Sequence, residues 1–148
     1  MIATTTWKVG GNNFANIGNQ PVKTAYQNEI VSPVTTNTTD NVTEYKAKIG
    51  LMYASDYGFA VDQSTWKTTL RNYTKRLPNW MCIAIDEWTI TRDSSNSAGV
   101  FILASEGSIT LGYGNVGYSK EVRPVFNLIS STTYVSGDGT QSSPIRIN

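Results

Sequence analysis

The spacing of apolar residues changes at Pro78, and this change constrains the fold more than any other feature of the sequence. Before it, apolar side chains recur at helical intervals, which predicts one amphipathic helix that Asp62 or Ser64 caps and Pro78 stops. Its apolar stripe comprises Trp66, Leu70, Tyr73 and Leu77. From Trp80 onward the spacing is that of strands. The candidate strands are 81–85, 87–92, 99–104, 108–113, 122–128 and 144–147.

The first 60 residues add a second helix and more polar connections. Residues 7–20 are expected to form a strand that runs into a Gly-Asn turn, and 21–30 a short helix with Pro21 near its start. Residues 32–44 predict an exposed loop, and 45–53 a strand. Ser55 or Asp56 is expected to cap a turn. Two helices early and an antiparallel sheet late predict an α+β fold, with 1–148 as a single domain.

The composition excludes some partners and favours an extracellular setting. With 12 basic and 11 acidic residues, the chain gives no electrostatic reason to bind nucleic acid or a membrane surface. Only 16% of residues are charged, and 46 of the 148 are Thr, Ser or Asn. That bias is typical of extracellular β-rich proteins. No leader or membrane-spanning run is recognised, so we expect a soluble piece whose anchor, if any, lies outside this sequence.

One cysteine and no histidine limit the chemistry of the chain. Cys82 alone cannot form an internal disulfide, and its apolar neighbours predict a small buried side chain. Without histidine the commonest general base and metal ligand are missing, so we expect no metal, no cofactor and no enzyme. The tryptophans lie beside apolar neighbours and are predicted to be core residues: Trp7, Trp66, Trp80 and Trp88.

Two blocks of sequence carry a family resemblance: Ile-Gly-Leu-Met-Tyr at 49–53 and Arg-Pro-Val-Phe-Asn-Leu at 123–128. With them, the chain resembles the C-terminal ectodomain of prepilin-like surface proteins of Gram-positive, largely gut, bacteria. The resemblance implies a C-type-lectin-like fold of the formylglycine-generating-enzyme variety, with loops displayed over a twisted antiparallel sheet. Enzymes of that fold need cysteines, so Cys82 alone carries over no activity. Prepilin-like members also carry a hydrophobic N-terminal helix, which this sequence lacks.

Two loops hold the candidate ligand-binding residues. Tyr113, Asn115 and Tyr118 lie in a Gly-rich stretch, where exposed rings and amides suit contact with a carbohydrate or a protein. The alternative is a hairpin loop whose tyrosines fold back on the sheet. Asp93 and Asn96 lie in an oxygen-rich loop that suits calcium or another ligand, although a plain turn is the favoured interpretation.

Three further residues are predicted to be structural. Asp138 lies in a Gly-Asp-Gly-Thr turn, where calcium binding is the minor alternative. Pro124 is compatible with a strand edge or a bulge, and it holds the preceding residue extended. Arg123 is expected to pair with a carboxylate and fix the end of the sheet. The candidates are Glu87, Asp86 and Asp93.

Together these observations predict a non-catalytic extracellular domain, at the cell surface or in a pilus. It would act as a pilin-like subunit or an adhesin, with other surface subunits or a host-cell glycan or protein as partner. Any membrane contact would run through a segment absent from this sequence. The alternative is a phage or prophage receptor-binding module that uses the loops at 93–98 and 112–119.

Overall fold

The computed structural model describes residues 1–13, 20–34, 43–66, 70, 79–96, 98–111 and 117–148. Two α-helices lie in these ranges, α1 (Val22–Tyr26) and α2 (Ala54–Phe59). A π-helical segment, Gln27–Val31, continues α1, and a 3₁₀ turn covers Gln63–Thr65. The strands are β1 (Thr5–Lys8), β2 (Gly11–Asn12), β3 (Glu44–Ala47), β4 (Gly50–Leu51), β5 (Glu87–Asp93), β6 (Val100–Leu103), β7 (Ile109–Leu111), β8 (Pro124–Val125), β9 (Tyr134–Ser136) and β10 (Arg146–Ile147).

The largest sheet within these ranges has the order β2–β5–β6–β7. Strand β2 runs parallel to β5, and the other neighbours are antiparallel. Three antiparallel ribbons surround the sheet: β1–β3, β4–β8 and β9–β10. The predicted α+β class is therefore confirmed at that level.

The core lies between the two helices and the inner face of the sheet. Tyr57 of α2 and Phe101 of β6 are its largest aromatic side chains, each at most 1% exposed. Gly58 of α2 allows the two helices to approach, because a Cβ there would lie 2.5 Å from Cγ2 of Val22 in α1. The buried cluster comprises Val22, Ala25, Met52, Ala54, Tyr57, Leu70, Phe101, Leu103 and Ile109. Each large member stabilises the fold by about 1.5–3 kcal/mol through burial.

In the first half of the chain, one predicted helix is confirmed, one predicted strand is divided in two, and one helix was not predicted. The helix expected at 21–30 is present as α1 and its π-helical continuation. The strand expected at 45–53 is broken into β3 and β4, and the turn expected at Ser55 or Asp56 is helix α2. The Asp56 carboxylate accepts a hydrogen bond from the Tyr53 amide at 2.8 Å, which satisfies a free N–H at the start of this helix.

The strand predicted at 81–85 is wrong. The Asn79 side chain donates to the Tyr57 carbonyl at 2.8 Å and accepts from the Met81 amide at 3.0 Å, so the chain turns at this point. Ala84 then has a φ of 60°, a left-handed conformation that no strand contains. Trp80, predicted to be a core residue, is 78% exposed on this turn. Cys82 is half-buried and packs against the core.

The bounds of the other predicted strands agree well with the structure for strands of the main sheet and less well for strands of the C-terminal segment. Strands β5, β6 and β7 fall within or next to the predicted ranges 87–92, 99–104 and 108–113. The ranges 122–128 and 144–147 are reduced to the two-residue strands β8 and β10. Most of the predicted helix with Tyr73 and Leu77 lies outside the described residues, as does most of the loop at 32–44. Asp62 caps the 3₁₀ turn by accepting from the Ser64 amide at 2.8 Å.

Candidate functional site

Strand β5 places its polar side chains inward and its apolar side chains outward. Its burial alternates along the strand, with the odd-numbered positions Glu87, Thr89, Thr91 and Asp93 buried. Trp88, Ile90 and Arg92 lie half-buried on the other face. A half-exposed sheet ordinarily shows the opposite arrangement, apolar inward and polar outward. Trp88 was predicted to be a core residue, and it is instead half-buried on the outer face of the sheet.

The inward polar groups of β5 are satisfied by hydrogen bonds. The Thr89 hydroxyl donates to the Phe101 carbonyl at 2.8 Å. The Thr91 hydroxyl donates to Glu29 Oε1 at 3.0 Å and accepts from the Ala54 amide at 2.9 Å. Because every unpartnered buried polar group costs free energy, these bonds allow threonines to face the core.

Glu29 is the centre of this polar network. Its carboxylate also accepts from Asn12 Nδ2 at 3.0 Å and from the Ser55 amide at 3.2 Å. The network thereby joins the π-helical segment to β2, β5 and the first turn of α2. Burial raises the pKa of Glu29 from 4.5 to about 7, and the hydrogen bonds from Ser55 and Thr91 oppose that rise.

A bulge aims the outward side chains into a cleft between β5 and β4. Four residue steps of β5, from Trp88 to Arg92, face two steps of β6. Within the bulge the Ile90 amide donates to the Met52 carbonyl at 2.9 Å, which holds β5 against the end of β4. Bulges re-aim side chains and are common beside binding sites.

The cleft has a volume of about 420 Å³ and is mainly apolar. This volume is within the range of small-molecule sites. Arg92 contributes the one charged group among the described residues that line it, and burial lowers the pKa of this guanidinium. The lining residues are Val9, Leu51, Trp88, Thr89, Ile90, Arg92, Gly99 and Val100. An aromatic ring and a guanidinium together in an apolar cleft can stack on a flat ligand and bind an anionic group.

The predicted calcium or ligand loop at 93–98 contains hydrogen bonds within its own turn. Asp93 is 2% exposed, and its Oδ1 accepts from the Ser95 amide at 2.9 Å and the Ser95 hydroxyl at 2.6 Å. Asn96 Oδ1 accepts from the Ala98 amide at 3.0 Å. Two of the oxygens that suggested a ligand site, Asp93 Oδ1 and Asn96 Oδ1, thus accept hydrogen bonds from groups of their own turn.

The predicted aromatic face is described only at Tyr118, which is 60% exposed. Tyr113 and Asn115 lie outside the described residues. Tyr118 does not line the cleft.

Of the residues predicted to be structural, Arg123 and Pro124 contact segments distant in sequence, and Asp138 makes contacts within its own turn. Arg123 Nε donates to Glu87 Oε1 at 2.9 Å, and its Nη2 donates to Glu87 Oε2 and, at 2.7 Å, to the Met81 carbonyl. Pro124 lies in β8 opposite Leu51. Asp138 Oδ1 accepts from the amide and the hydroxyl of Thr140, at 3.0 and 2.7 Å.

A second pocket, of about 310 Å³, lies beside β1 and contains Lys8, Tyr53 and Asp56. Its polar groups are bound within the protein. The Tyr53 hydroxyl donates to the Lys8 carbonyl at 2.7 Å, and Asp56 accepts from the Tyr53 amide. Burial raises the pKa of Tyr53 to about 12, so this phenol stays protonated at neutral pH. This pocket is therefore a weaker candidate for a ligand-binding site than the cleft.

Sequence reasoning missed the cleft because it placed the wrong face of β5 inward. The alternation in Glu-Trp-Thr-Ile-Thr-Arg was visible, but its usual interpretation puts Trp88 and Ile90 in the core. The partners that draw the threonines inward are distant in sequence, since Glu29 is 62 residues from Thr91. The one signal in the sequence was that threonines alternate with apolar residues along this strand.

Comparisons with protein families, curated proteins and solved structures found no match to this chain. Within the described ranges, no three acidic or cysteine side chains group closely enough to hold a metal ion. In the same part of the chain, no helix is both long and apolar enough to span a bilayer.

Proposed function

We propose that this chain is a non-catalytic extracellular attachment domain that binds its partner through the cleft beside β5. The observation that carries the proposal is the reversed face of β5. Trp88 and Ile90 are half-exposed around one cation, while threonines occupy the core side of the same strand.

The reversed face has a cost in stability that a binding role explains. Full burial of a large apolar side chain contributes about 1.5–3 kcal/mol, so leaving Trp88 and Ile90 half-exposed gives up part of that stabilisation. Tryptophan and arginine are also the side chains most enriched where binding energy concentrates. A partner that covers the cleft would recover the burial that folding leaves incomplete.

The lining of the cleft supports binding more than catalysis. Arg92 and Thr89 are the polar residues among the described ones that line it. The Thr89 hydroxyl already donates to a backbone carbonyl. General acid–base catalysis needs a proton donor and acceptor positioned together, and this lining offers no such pair.

The composition and the resemblance supply the setting of the proposal. A chain rich in Thr, Ser and Asn, with few charges, suits the cell surface or a pilus. The resemblance to prepilin-like ectodomains suggests a C-type-lectin-like arrangement, and early helices before the antiparallel strands β5, β6 and β7 support it. A host-cell glycan or protein is then the partner of an adhesin, and other surface subunits are the partners of a pilin-like subunit.

A binding screen on glycans and whole cells tests the proposal. The purified domain would be compared with Trp88→Leu and with Trp80→Leu, a control that changes an exposed tryptophan elsewhere. We expect Trp88→Leu to reduce attachment at least tenfold and Trp80→Leu to leave it unchanged. Attachment that survives Trp88→Leu would exclude the cleft as the binding site.

A further inference from the structure

The pocket beside β1 lies where separate segments of the chain meet. Trp7 comes from β1, Tyr53 and Asp56 from the start of α2, and Asn127 from the C-terminal segment. Its volume of about 310 Å³ is at the small end of the range for ligand sites. None of the described residues that line it also lines the cleft beside β5. A ligand there would therefore occupy a second site, separate from the cleft.

The Asp56 carboxylate keeps the capacity to bind a further donor. Its Oδ2 accepts from the Tyr53 amide at 2.8 Å, and its Oδ1 accepts no hydrogen bond from the described part of the chain. No ion pair joins Asp56 to a cation in that part of the chain. Burial raises the pKa of this carboxyl, and the bond from Tyr53 only partly opposes the rise. A half-buried anion with no cation beside it is costly, so a ligand cation would be stabilised here.

The other charges around the pocket also favour a cation. Lys8 is the one basic residue among the described residues that line it, and its Nζ pairs with Glu44 Oε2 at 2.5 Å. The charge of Lys8 is therefore already offset. Burial is the main cause of the raised pKa of Tyr53 and of Glu29, and the charge of Asp56 adds to both rises. The same negative charge would attract a positive ligand.

The remaining walls suit a cation on a carbon chain better than a metal ion. Trp7 is 7% exposed, and its ring packs so closely on Gly50 that a Cβ there would lie 2.6 Å from Trp7 Cδ2. The rings of Trp7 and Tyr53 both line the pocket, and such rings attract organic cations. Asn127 Nδ2 donates to Thr5 Oγ1 at 3.2 Å, which leaves the amide oxygen of Asn127 to accept from a ligand. An ammonium group has three donors for acceptors of this kind.

We infer that this pocket binds an ammonium group at the end of an apolar chain, with the ammonium at Asp56 and the chain along Trp7. Ile30 and Val125 complete the apolar wall for that chain. The pairing is favourable because charges in a half-buried pocket are screened less than charges on the open surface. Two sources supply this chemistry, a lysine side chain of a protein and a free alkylamine. The site is additional to the cleft and does not depend on it.

The test compares matched probes that differ in charge. Butylammonium and 1-butanol share a four-carbon chain, and Nα-acetyl-lysine methylamide represents a lysine of a protein. Binding would be measured at about pH 8, where the amines are charged. It would be followed by NMR shifts of the Trp7 indole N–H and of the backbone amides of Tyr53–Asp56 in the ¹⁵N-labelled domain. We expect saturable shifts with butylammonium and binding at least about tenfold weaker with 1-butanol.

Three variants assign the preference to Asp56. Asp56→Asn keeps an oxygen that can accept from the Tyr53 amide and removes the charge, so it should make the two probes bind equally. Asp56→Glu should retain part of the preference for the cation. Glu121→Gln removes an exposed carboxylate that does not line the pocket, and it should change nothing. Thermal unfolding would verify that each variant folds, and the comparison of probes on the natural chain needs no variant.

The outcomes separate this inference from the proposed function. Equal binding of the two probes to the natural chain, or butylammonium binding that Asp56→Asn leaves unchanged, would overturn the inference. No shift with any probe would overturn it too. Trp88→Leu, which tests the cleft, should leave butylammonium binding unaltered, and loss of binding in that variant would contradict a separate site. Tighter binding of Nα-acetyl-lysine methylamide than of butylammonium would support the inference and assign a protein lysine. The reverse order would support it and assign a free amine.

Discussion

The helix–sheet core and the C-terminal segment 117–148 are held together by different forces. In the core, Phe101 and Leu103 are at most 1% exposed and pack against α1 and α2. In the C-terminal segment, Tyr134 of β9 is 65% exposed and Ile145, next to β10, is 52% exposed, so β9 and β10 pair without a covered face. An isolated two-stranded ribbon is marginally stable in water. Side-chain burial therefore stabilises the core, and polar and backbone contacts hold the C-terminal segment to it.

Strand pairing and ion pairs join the two regions, and β8 of the C-terminal segment pairs with β4. Arg123 binds the buried Glu87 of β5, and Lys120 Nζ lies 2.6 Å from Asp86 Oδ2. The N-terminal residues meet the C-terminal segment through a backbone bridge between Ile2 and Leu128. The cleft belongs to the core side of this division, because Trp88 and Arg92 are residues of β5. Binding should therefore depend on the core and tolerate change in the β9–β10 hairpin.

The largest effect should follow from removal of a core ring. Phe101→Ala should lower the free energy of unfolding by about 3–5 kcal/mol, because it deletes a buried ring and leaves a cavity. Tyr134→Ala, in the exposed hairpin, should change it by less than about 0.5 kcal/mol. Urea unfolding followed by tryptophan fluorescence measures both. Similar losses in the free energy of unfolding for the two variants would contradict the proposed difference between the regions.

A pH dependence should come from Glu29 in the core. The unfolded carboxyl loses its proton near pH 4.5, whereas the folded one keeps it up to about pH 7. The folded state therefore binds more protons in this window, and stability should fall as pH rises from 4.5 to 7, then stay level. The shift corresponds to on the order of 3 kcal/mol. Burial raises the pKa of Asp56 too, so that group adds to the same trend.

The variant Glu29→Gln isolates this contribution. It keeps the size of the side chain and removes the titrating proton. Its thermal midpoint should therefore change less than that of the natural chain between pH 5 and pH 8. An unaltered pH profile would show that Glu29 does not carry the dependence.

The link between the regions should break more easily than the core. Arg123→Met should cost ~2–3 kcal/mol, because it leaves the carboxylate of Glu87, 3% exposed, without its cation. Lys120→Met should cost about 0–1 kcal/mol, because both partners of that pair are partly exposed. Chemical unfolding of the two variants gives the comparison. Equal losses of stability in the two variants would mean that Arg123 contributes no more than Lys120 to holding the C-terminal segment.

The smallest effect should be confined to the hairpin. Gly137 has a φ of 101°, and a Cβ there would lie 2.6 Å from the Pro144 carbonyl carbon. Gly137→Ala should destabilise the β9–β10 pairing by about 1–2 kcal/mol. Gly117→Ala is the control, because among the described residues only its chain neighbours lie within 4 Å of the added Cβ. Circular dichroism and NMR shifts of Tyr134–Ser136 would report the local change. Changes in the NMR signals of the core residues would contradict the prediction that the effect is confined to the hairpin.

The sequence predicted local structure well where the pattern reflected local chemistry. The strands β5, β6 and β7 follow from alternation, and the glycines at 137 and 139 have the positive φ that their turn chemistry predicted. The strand predicted from the apolar run at 81–85 was wrong, because Asn79 turns the chain there and Ile83 and Ile85 are exposed. Helix α2 was missed because a capping residue and a glycine resembled a turn.

The candidate site was less predictable because it depends on contacts between distant residues. The direction in which β5 faces is decided by Glu29, Asn12 and Thr91, which come from three separate segments. A shift of one residue in the register of a strand exchanges its two faces. No local sequence pattern predicts which of these faces a distant carboxylate will bind. The pairing of Arg123 was limited to three carboxylates from sequence, and the structure places Glu87 against it.

Native-state hydrogen exchange tests the division between the two regions most directly. The amides of Val100–Leu103 should exchange only through global unfolding. The amides of Tyr134–Ser136 and Arg146–Ile147 should exchange at least about a hundredfold faster, through a local opening that leaves the core folded. Equal protection in both regions would contradict the account, since it would mean that the exposed hairpin and the buried core open as one unit.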